Sequence, residues 1–199
     1  QPSTFNNRYR TDMAPEPNAT EADGRPSKVI HKRKRHWKRR KMSKQERAKL
    51  SIELSNEHAE RKSSSSAYKR MMTARSRLPA WKQDKEVLRA VAKNQVVLIS
   101  GETGCGKTTQ VPQFILDHYI SNGKGGDVNI ICTQPRRLAA IGVAGRVADE
   151  QCSPLGSTIG YQVRMDKKVD PRKTRLTFCT TGILLRRLHG DRTVEGVTH

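Results

Sequence analysis

The stretch Gly101-Glu102-Thr103-Gly104-Cys105-Gly106-Lys107-Thr108 matches the pattern Gly-x-x-x-x-Gly-Lys-Thr in full. The apolar run before it, residues 96–99, predicts a strand buried on both faces, and a helix is predicted from about 107 to 120. In such a loop the glycines let backbone N–H groups surround a phosphate, and the helix N-terminus adds its positive dipole end. The pattern therefore predicts a nucleotide-binding loop in which Lys107 reaches the β- and γ-phosphates and Thr108 binds Mg²⁺.

Strands and helices alternate on both sides of this loop. The apolar patterns predict further strands at 128–132, 158–163 and 176–180, and further helices at 84–93, 137–151 and 182–188. Alternating strands and helices favour a parallel sheet with right-handed crossover connections. The sequence therefore predicts an α/β fold of the P-loop type.

The first part of the chain differs from the second in composition. Residues 1–75 hold 20 Lys and Arg against 8 Asp and Glu, whereas residues 76–199 hold 19 against 11 and almost all the long apolar runs. We expect residues 1–75 to be a basic, mostly disordered extension and residues 76–199 to form one partial α/β domain. Within the extension, the capping box formed by Ser43 and Glu46 predicts a helix at 44–61, and a second helical piece is predicted around 68–75.

The net charge of +20 favours a polyanionic partner, with nucleic acid first and an acidic membrane surface second. Eight of the eleven residues 31–41 are Lys or Arg, and Trp37 is available there to stack on a base. A nuclear-import signal, a phosphate-binding arm and a solvated charge run all remain open for this block. No apolar stretch approaches the roughly 18 residues of a membrane span, so we expect an intracellular protein, cytoplasmic or nuclear. The four cysteines form no Cys-x-x-Cys pair, which favours free thiols over a zinc site.

Several spaced motifs resemble those of one family. The segment from Gly101 to Leu116 resembles motif I of the DEAH/RHA-type ATP-dependent RNA helicases, Thr133-Gln-Pro-Arg-Arg-Leu-Ala-Ala140 resembles motif Ia, and Thr180-Thr-Gly-Ile-Leu-Leu-Arg186 resembles motif Ib. Residues 160–164 resemble the strand between the last two motifs, and Arg75-x-x-Leu78-Pro79 resembles the segment that leads into the first domain. The resemblance runs from about residue 68 to residue 199 and implies a RecA-like sheet with flanking helices.

The resemblance also implies cofactors, a partner and roles for individual residues. ATP and Mg²⁺ would be the cofactors and RNA the partner. Arg136 and Arg137 would grip the RNA backbone, for which a bidentate guanidinium is suited, and Thr180 or Thr181 would add a hydroxyl contact. The alternative is that one of these arginines only caps its helix or pairs with a carboxylate. The residues implied for ATP are Gly101, Glu102, Thr103, Gly104, Cys105, Gly106, Lys107, Thr108, Thr109 and Arg146. Arg146 would stack on the adenine, and a solvent-facing helical arginine is the alternative.

The acidic pair needed for hydrolysis has no good candidate in the sequence. Asp149 and Glu150 end a predicted helix with no apolar strand before them, so we do not expect them to hold magnesium. In the family the acidic box follows a segment that resembles Gly196-Val-Thr-His199. We therefore expect a fragment that binds ATP and RNA but is inactive alone, from a parent protein that couples ATP hydrolysis to RNA unwinding. A P-loop ATPase of another class and a basic nucleic-acid-binding module with a vestigial loop are the alternatives.

Overall fold

The computed structural model describes residues 42–199, which form six α-helices and four strands. The chain begins with α1 (Lys44–Ser64) and α2 (Ser66–Ser76), followed by a short 3-10 helix (Pro79–Gln83). The remaining elements are α3 (Asp84–Lys93), α4 (Lys107–Ser121), β1 (Ile130–Gln134), α5 (Arg137–Glu150), β2 (Ile159–Val163), β3 (Asp166–Lys168), β4 (Leu176–Thr180) and α6 (Thr181–Gly190). The predicted alternation of strands and helices is confirmed from α4 to α6. No helix in the described range is long and apolar enough to cross a membrane.

The sheet is mostly parallel, as the alternation predicts, and its strand order is β1-β4-β2-β3. β4 lies between β1 and β2 and pairs parallel with both. β3 pairs antiparallel with β2 and was not predicted from the sequence. Its three residues, Asp166, Lys167 and Lys168, are charged and exposed, so they carry no apolar pattern that would indicate a strand.

The core lies between the sheet and the helices α4 and α5. α5 packs on β2 and β4 through a face of small residues, Ala140, Ala144 and Ala148, together with Val147, and all four are buried. Small side chains let the helix backbone approach the strands closely. α4 adds larger side chains, among them Leu116, and each such burial stabilises the fold by about 2 kcal/mol. The apolar half of the sequence therefore forms one continuous core.

The first two helices, which lie where the sequence predicts helices near 44–61 and 68–75, belong to the same folded unit as the sheet. The capping box of Ser43 and Glu46 is present at the start of α1. This helix covers the range 44–61 over which the capping box predicts a helix. Leu50 and Leu54 of α1 join the core, and Ser51 accepts a hydrogen bond from the backbone N–H of Gly126 at 2.9 Å. The folded part therefore begins well before residue 75. Residues 1–41, with the basic block and Trp37, lie outside the described residues.

The prediction of a strand at 96–99 is wrong. These residues form no strand, and Val96 and Leu98 are 86% and 94% exposed. A strand needs a neighbour to accept and donate its backbone hydrogen bonds. Among the described residues no strand lies beside this segment, because the outer edge of β1 pairs instead with residues 198 and 199: His199 accepts from the N–H of Ile131 at 2.9 Å.

Candidate nucleotide and nucleic-acid sites

The glycine loop has the backbone conformation that its sequence predicts at two positions. Gly104 and Gly106 have φ angles of +85° and +97°, which side-chain-bearing residues rarely adopt. Gly106 also precedes the first residue of α4 as its N-cap. A Cβ atom at Gly101 would lie 3.2 Å from Sγ of Cys105, so the loop is tightly closed at its first residue. The loop therefore needs glycine for conformation at two positions, and a side chain at Gly101 would crowd Cys105.

Lys107 places its charge inside this loop. Its Nζ donates hydrogen bonds to the carbonyl oxygens of Gly101 at 2.5 Å and Glu102 at 2.7 Å, and it lies 3.5 Å from Sγ of Cys105. The side chain thus folds back over the loop rather than extending into solvent. An ammonium group held at the start of a helix adds to the positive dipole end of that helix, so the electrostatics at this end of α4 favour an anion.

The hydroxyl-bearing residues after Lys107 lie in the first turn of α4. Thr108 is exposed there, and Thr109 donates its hydroxyl to the carbonyl oxygen of Gly106 at 3.2 Å. No group of three or more His, Cys, Asp or Glu residues within 42–199 is arranged to hold a metal ion. The exposed Thr108 hydroxyl is a single oxygen donor, and Mg²⁺ typically keeps several waters and binds through one or two protein oxygens together with substrate phosphates.

The segment before α3 supports the loop from behind, a role that the sequence did not reveal. The backbone N–H of Ala80 donates to the carbonyl oxygen of Cys105 at 3.1 Å. A Cβ atom at Gly106 would lie 3.2 Å from Cδ1 of Leu78, so the leucine packs directly against the glycine. In the sequence the Leu78-Pro79 pair carries only a family resemblance, because a contact between segments 28 residues apart leaves no periodic signal.

Arg146 and the acidic pair lie at the end of α5. Arg146 keeps 60% of its side chain exposed, and its Nε donates to Oε1 of Glu150 at 2.8 Å. Oε2 of Glu150 accepts hydrogen bonds from the side-chain amides of Gln110 and Gln113 on α4, at 2.8 and 2.7 Å. The carboxylate of the buried Glu150 therefore has all its hydrogen-bond partners on α4 and α5.

Arg136, Arg137, Thr180 and Thr181 meet at one edge of the sheet. Gln134 and Thr180 are register partners on the parallel strands β1 and β4, so these strands end side by side. Arg136 occupies the N-cap position of α5 and Arg137 is its first residue, while Thr180 occupies the N-cap position of α6 and Thr181 is its first residue. Neither helix start receives a side-chain capping hydrogen bond, which leaves its first amides available to an anion. Within 42–199 the two arginines, both exposed, form no ion pair, so the structure does not support the carboxylate alternative there.

The four cysteines, all within the described residues, form no disulfide. Burial raises the pKa of Cys179 to about 11 and also raises the pKa of Cys132, so both thiols stay protonated at neutral pH. Cys105, in the loop, is half-buried beside the Lys107 ammonium.

The fold and these motifs together define the class of the chain, a partial α/β fold of the RecA type. Comparison with known proteins gives the family. The chain is 52% identical to the putative ATP-dependent RNA helicase DHX57 of Mus musculus over 138 residues, which is 69% of the chain and 10% of that protein. It is 49% identical over 77% of its length to the helicase DExH1 of Arabidopsis thaliana and 45% identical over 72% to the ATP-dependent DNA/RNA helicase DHX36 of Homo sapiens. The chain belongs to the DExH/DEAH-type helicase family.

The similarity covers very different shares of this chain and of its relatives. The aligned part covers most of the chain but only 15% of DExH1 and 14% of DHX36. The chain thus spans a small part of the relatives that it matches. No protein-family profile matches it.

Proposed function

We propose that the chain binds ATP with Mg²⁺ through residues 101–108 and the RNA backbone through Arg136, Arg137, Thr180 and Thr181, as part of an ATP-dependent RNA helicase. The observation that carries the proposal is the Lys107 ammonium, held inside a glycine loop at the start of α4. The helicase names of relatives at 45–52% identity agree with it. Hydrolysis of ATP coupled to RNA unwinding is proposed for the whole protein.

The nucleotide would sit with its β- and γ-phosphates over the first turn of α4. Lys107 would exchange its bonds to the carbonyls of Gly101 and Glu102, in part, for bonds to phosphate oxygens, which carry more negative charge. Thr108 would bind the Mg²⁺ that bridges those phosphates. Arg146, with an exposed guanidinium face, would stack on the adenine.

RNA would lie along the edge where β1 and β4 end. Two arginines and two uncapped helix starts converge there, and both kinds of group bind phosphate oxygens. Contacts of this type hold the backbone and read little of the base sequence. We therefore propose RNA binding with weak base preference and with a marked dependence on salt concentration.

Binding of a fluorescent N-methylanthraniloyl ATP analogue tests the nucleotide part. The purified chain should show Mg²⁺-dependent binding, and Lys107→Ala should weaken it by about tenfold or more because charge-assisted hydrogen bonds are removed. Lys124→Ala is the matched control, since Lys124 is an exposed lysine in the turn after α4. A wild-type chain without Mg²⁺-dependent binding would favour the alternative of a basic nucleic-acid-binding module with a vestigial loop.

The salt dependence of single-stranded RNA binding tests the second part. The double variant Arg136→Gln/Arg137→Gln should reduce the slope of log K against log salt by about 0.7 for each phosphate that the arginines neutralise. Arg70→Gln, which removes an exposed arginine of α2, is the control and should leave affinity nearly unchanged. Equal slopes for the wild type and the double variant would remove the two arginines from the RNA site.

A further inference from the structure

A cluster of polar side chains is buried between α2, α4 and α5, directly below the glycine loop. Buried polar groups are costly unless each has a partner, so a cluster of this size needs a structural or functional reason. Its nearly inaccessible members are Arg75, Gln110, Gln113, Glu150 and Gln151.

Arg75 is the only cation among these buried members, and its contacts fix its orientation. Its Nε donates to Oε1 of Gln110 at 2.8 Å, and one of its terminal nitrogens lies 3.3 Å from Oδ2 of Asp117. Its guanidinium carbon also lies 5.1 Å from the centroid of the Trp81 ring. A guanidinium with partners on three sides and 1% exposure has little freedom to move.

Gln110 links Arg75 to the glycine loop. Because its Oε1 accepts from Arg75, its Nε2 must face the other way, where it donates to Oγ1 of Thr109 and to Oε2 of Glu150. Its Cγ lies 3.2 Å from the position of a Cβ at Gly106, and its backbone N–H donates to the Gly106 carbonyl at 2.8 Å. The turn that carries Thr108 is therefore packed on a side chain that Arg75 holds in place.

Glu150 links the same buried cluster to Arg146. One carboxylate oxygen accepts from Gln110 and Gln113, and the other accepts from Nε of Arg146. Glu150 is buried while Arg146 is mostly exposed, so the carboxylate anchors the guanidinium at its inner nitrogen. The outer nitrogens and the flat face of Arg146 stay available to a ligand.

We propose that Arg75 and Glu150 are positioning residues of the nucleotide site. Arg75 acts through Gln110 on the turn that receives the phosphates, and Glu150 holds the Arg146 guanidinium in the orientation that stacks on the base. The inference rests on the proposed function. It adds that α2, which precedes the RecA-type fold in sequence, contributes a positioning residue to the nucleotide site. The two residues have different readouts, because one supports the phosphate end of the ligand and the other supports the base end.

The test compares two ligands of the full chain in the presence of Mg²⁺. ATP and inorganic tripolyphosphate each displace the fluorescent ATP analogue, and only ATP has a base. Glu150→Gln keeps an oxygen for Gln110 and Gln113 but presents an amide NH₂ to Arg146. It should weaken ATP binding by about tenfold, the low end of the scale of one charged hydrogen bond, and leave tripolyphosphate binding within about twofold of the wild type. Arg75→Gln should weaken both ligands, and Arg70→Gln on the same helix should weaken neither.

A double-mutant cycle separates positioning from a loss of structure. In an Arg146→Gln background, Glu150→Gln should have almost no further effect on ATP affinity, because the side chain that it positions is gone. Additive losses, or equal weakening of ATP and tripolyphosphate by Glu150→Gln, would overturn the role of Glu150. If Arg75→Gln does not fold, Arg75→Lys is tested in its place. Lysine keeps the positive charge but lacks the planar guanidinium with its several N–H donors. Unchanged affinity of Arg75→Lys for both ligands would overturn the role of Arg75. Absence of wild-type binding would instead overturn the proposed function.

Discussion

The backbone N–H of Ala80 donates a hydrogen bond to the carbonyl oxygen of Cys105, at 3.1 Å, and so joins the segment after α2 to the glycine loop. Leu78 packs on Gly106 next to this bond. The loop is therefore supported on one side by residues that precede it by about 25 positions. Because α1 and α2 lead directly into this support, their packing on the core bears on the nucleotide site as well as on stability.

Leu54→Ala tests whether α1 belongs to the folded unit. Leu54 is fully buried in the core, so its truncation should lower the free energy of unfolding by about 2–5 kcal/mol. Ile52→Ala is the matched control, because Ile52 lies on the same helix and is 63% exposed; it should change stability by less than about 0.5 kcal/mol. Urea unfolding followed by circular dichroism measures both. Equal small effects would mean that α1 is not docked in solution.

Gly106→Ala tests the conformation of the loop. A Cβ atom there would meet both Leu78 and Gln110 at 3.2 Å, in a backbone with a φ of +97°. We expect binding of the ATP analogue to be abolished, because either the turn or its supporting side chains must move. Gly123→Ala is the control: its φ is +66°, no atom lies within 4 Å of the new Cβ, and only the backbone cost of about 1–2 kcal/mol applies. The described loop would be contradicted if Gly106→Ala still bound the ATP analogue while the control Gly123→Ala bound it less well.

The sequence predicted the elements whose signals are local. The capping box of Ser43 and Glu46 marked α1, and the alternating apolar runs marked α4 to α6 with three of the four strands. The low apolar content of residues 42–75 did not indicate that α1 packs on the core, because a long helix can hold a basic exposed face while only Leu50, Leu54 and a few others are buried. The apolar run at 96–99 led to a wrong prediction of a strand, because an apolar pattern does not show whether a neighbouring strand is present.

The candidate sites divide in the same way. The loop and the arginines after β1 follow from short motifs, whose spacing is visible in the sequence. The contacts of Arg75, Gln110 and Glu150 join three helices, and no sequence period connects residues 35 and 40 positions apart. A buried polar cluster of this kind becomes visible only when the helices are packed.

The stability of the chain should depend on His58 below neutral pH. Burial lowers the pKa of this imidazole, an effect to which Lys62, Arg61 and Arg75 add and which the charge of Asp117 opposes. In the unfolded chain a histidine takes up a proton near pH 6.5, whereas the folded chain resists it, so the unfolded state binds more protons below that pH. The contribution of His58 to the free energy of unfolding should be constant above about pH 7 and fall as the pH drops below 6.5, by up to about 1.4 kcal/mol per pH unit.

Comparison with His58→Phe isolates this contribution. Phenylalanine keeps a ring against Tyr68, whose ring centroid lies 6.1 Å from that of His58, and it has no titrating group. The fall in stability between pH 7 and pH 5.5 should be smaller in this variant than in the wild type. His189→Gln, which replaces an exposed histidine of α6, should show the wild-type pH profile. An unchanged profile for His58→Phe would mean that His58 is protonated in the folded chain without cost.

Leu98→Lys tests the exposed apolar segment 96–99. Leu98 makes little use of its apolar surface in the described fold, so lysine there should change the free energy of unfolding by less than about 0.5 kcal/mol. The same substitution at Leu116, which is buried in α4, should prevent folding because a charge would enter the core. Contiguous exposed apolar side chains also promote association, so Leu98→Lys should lower the self-association of the chain in sedimentation velocity experiments. A large loss of stability in Leu98→Lys would show that residues 96–99 are buried in solution, as the sequence pattern first indicated.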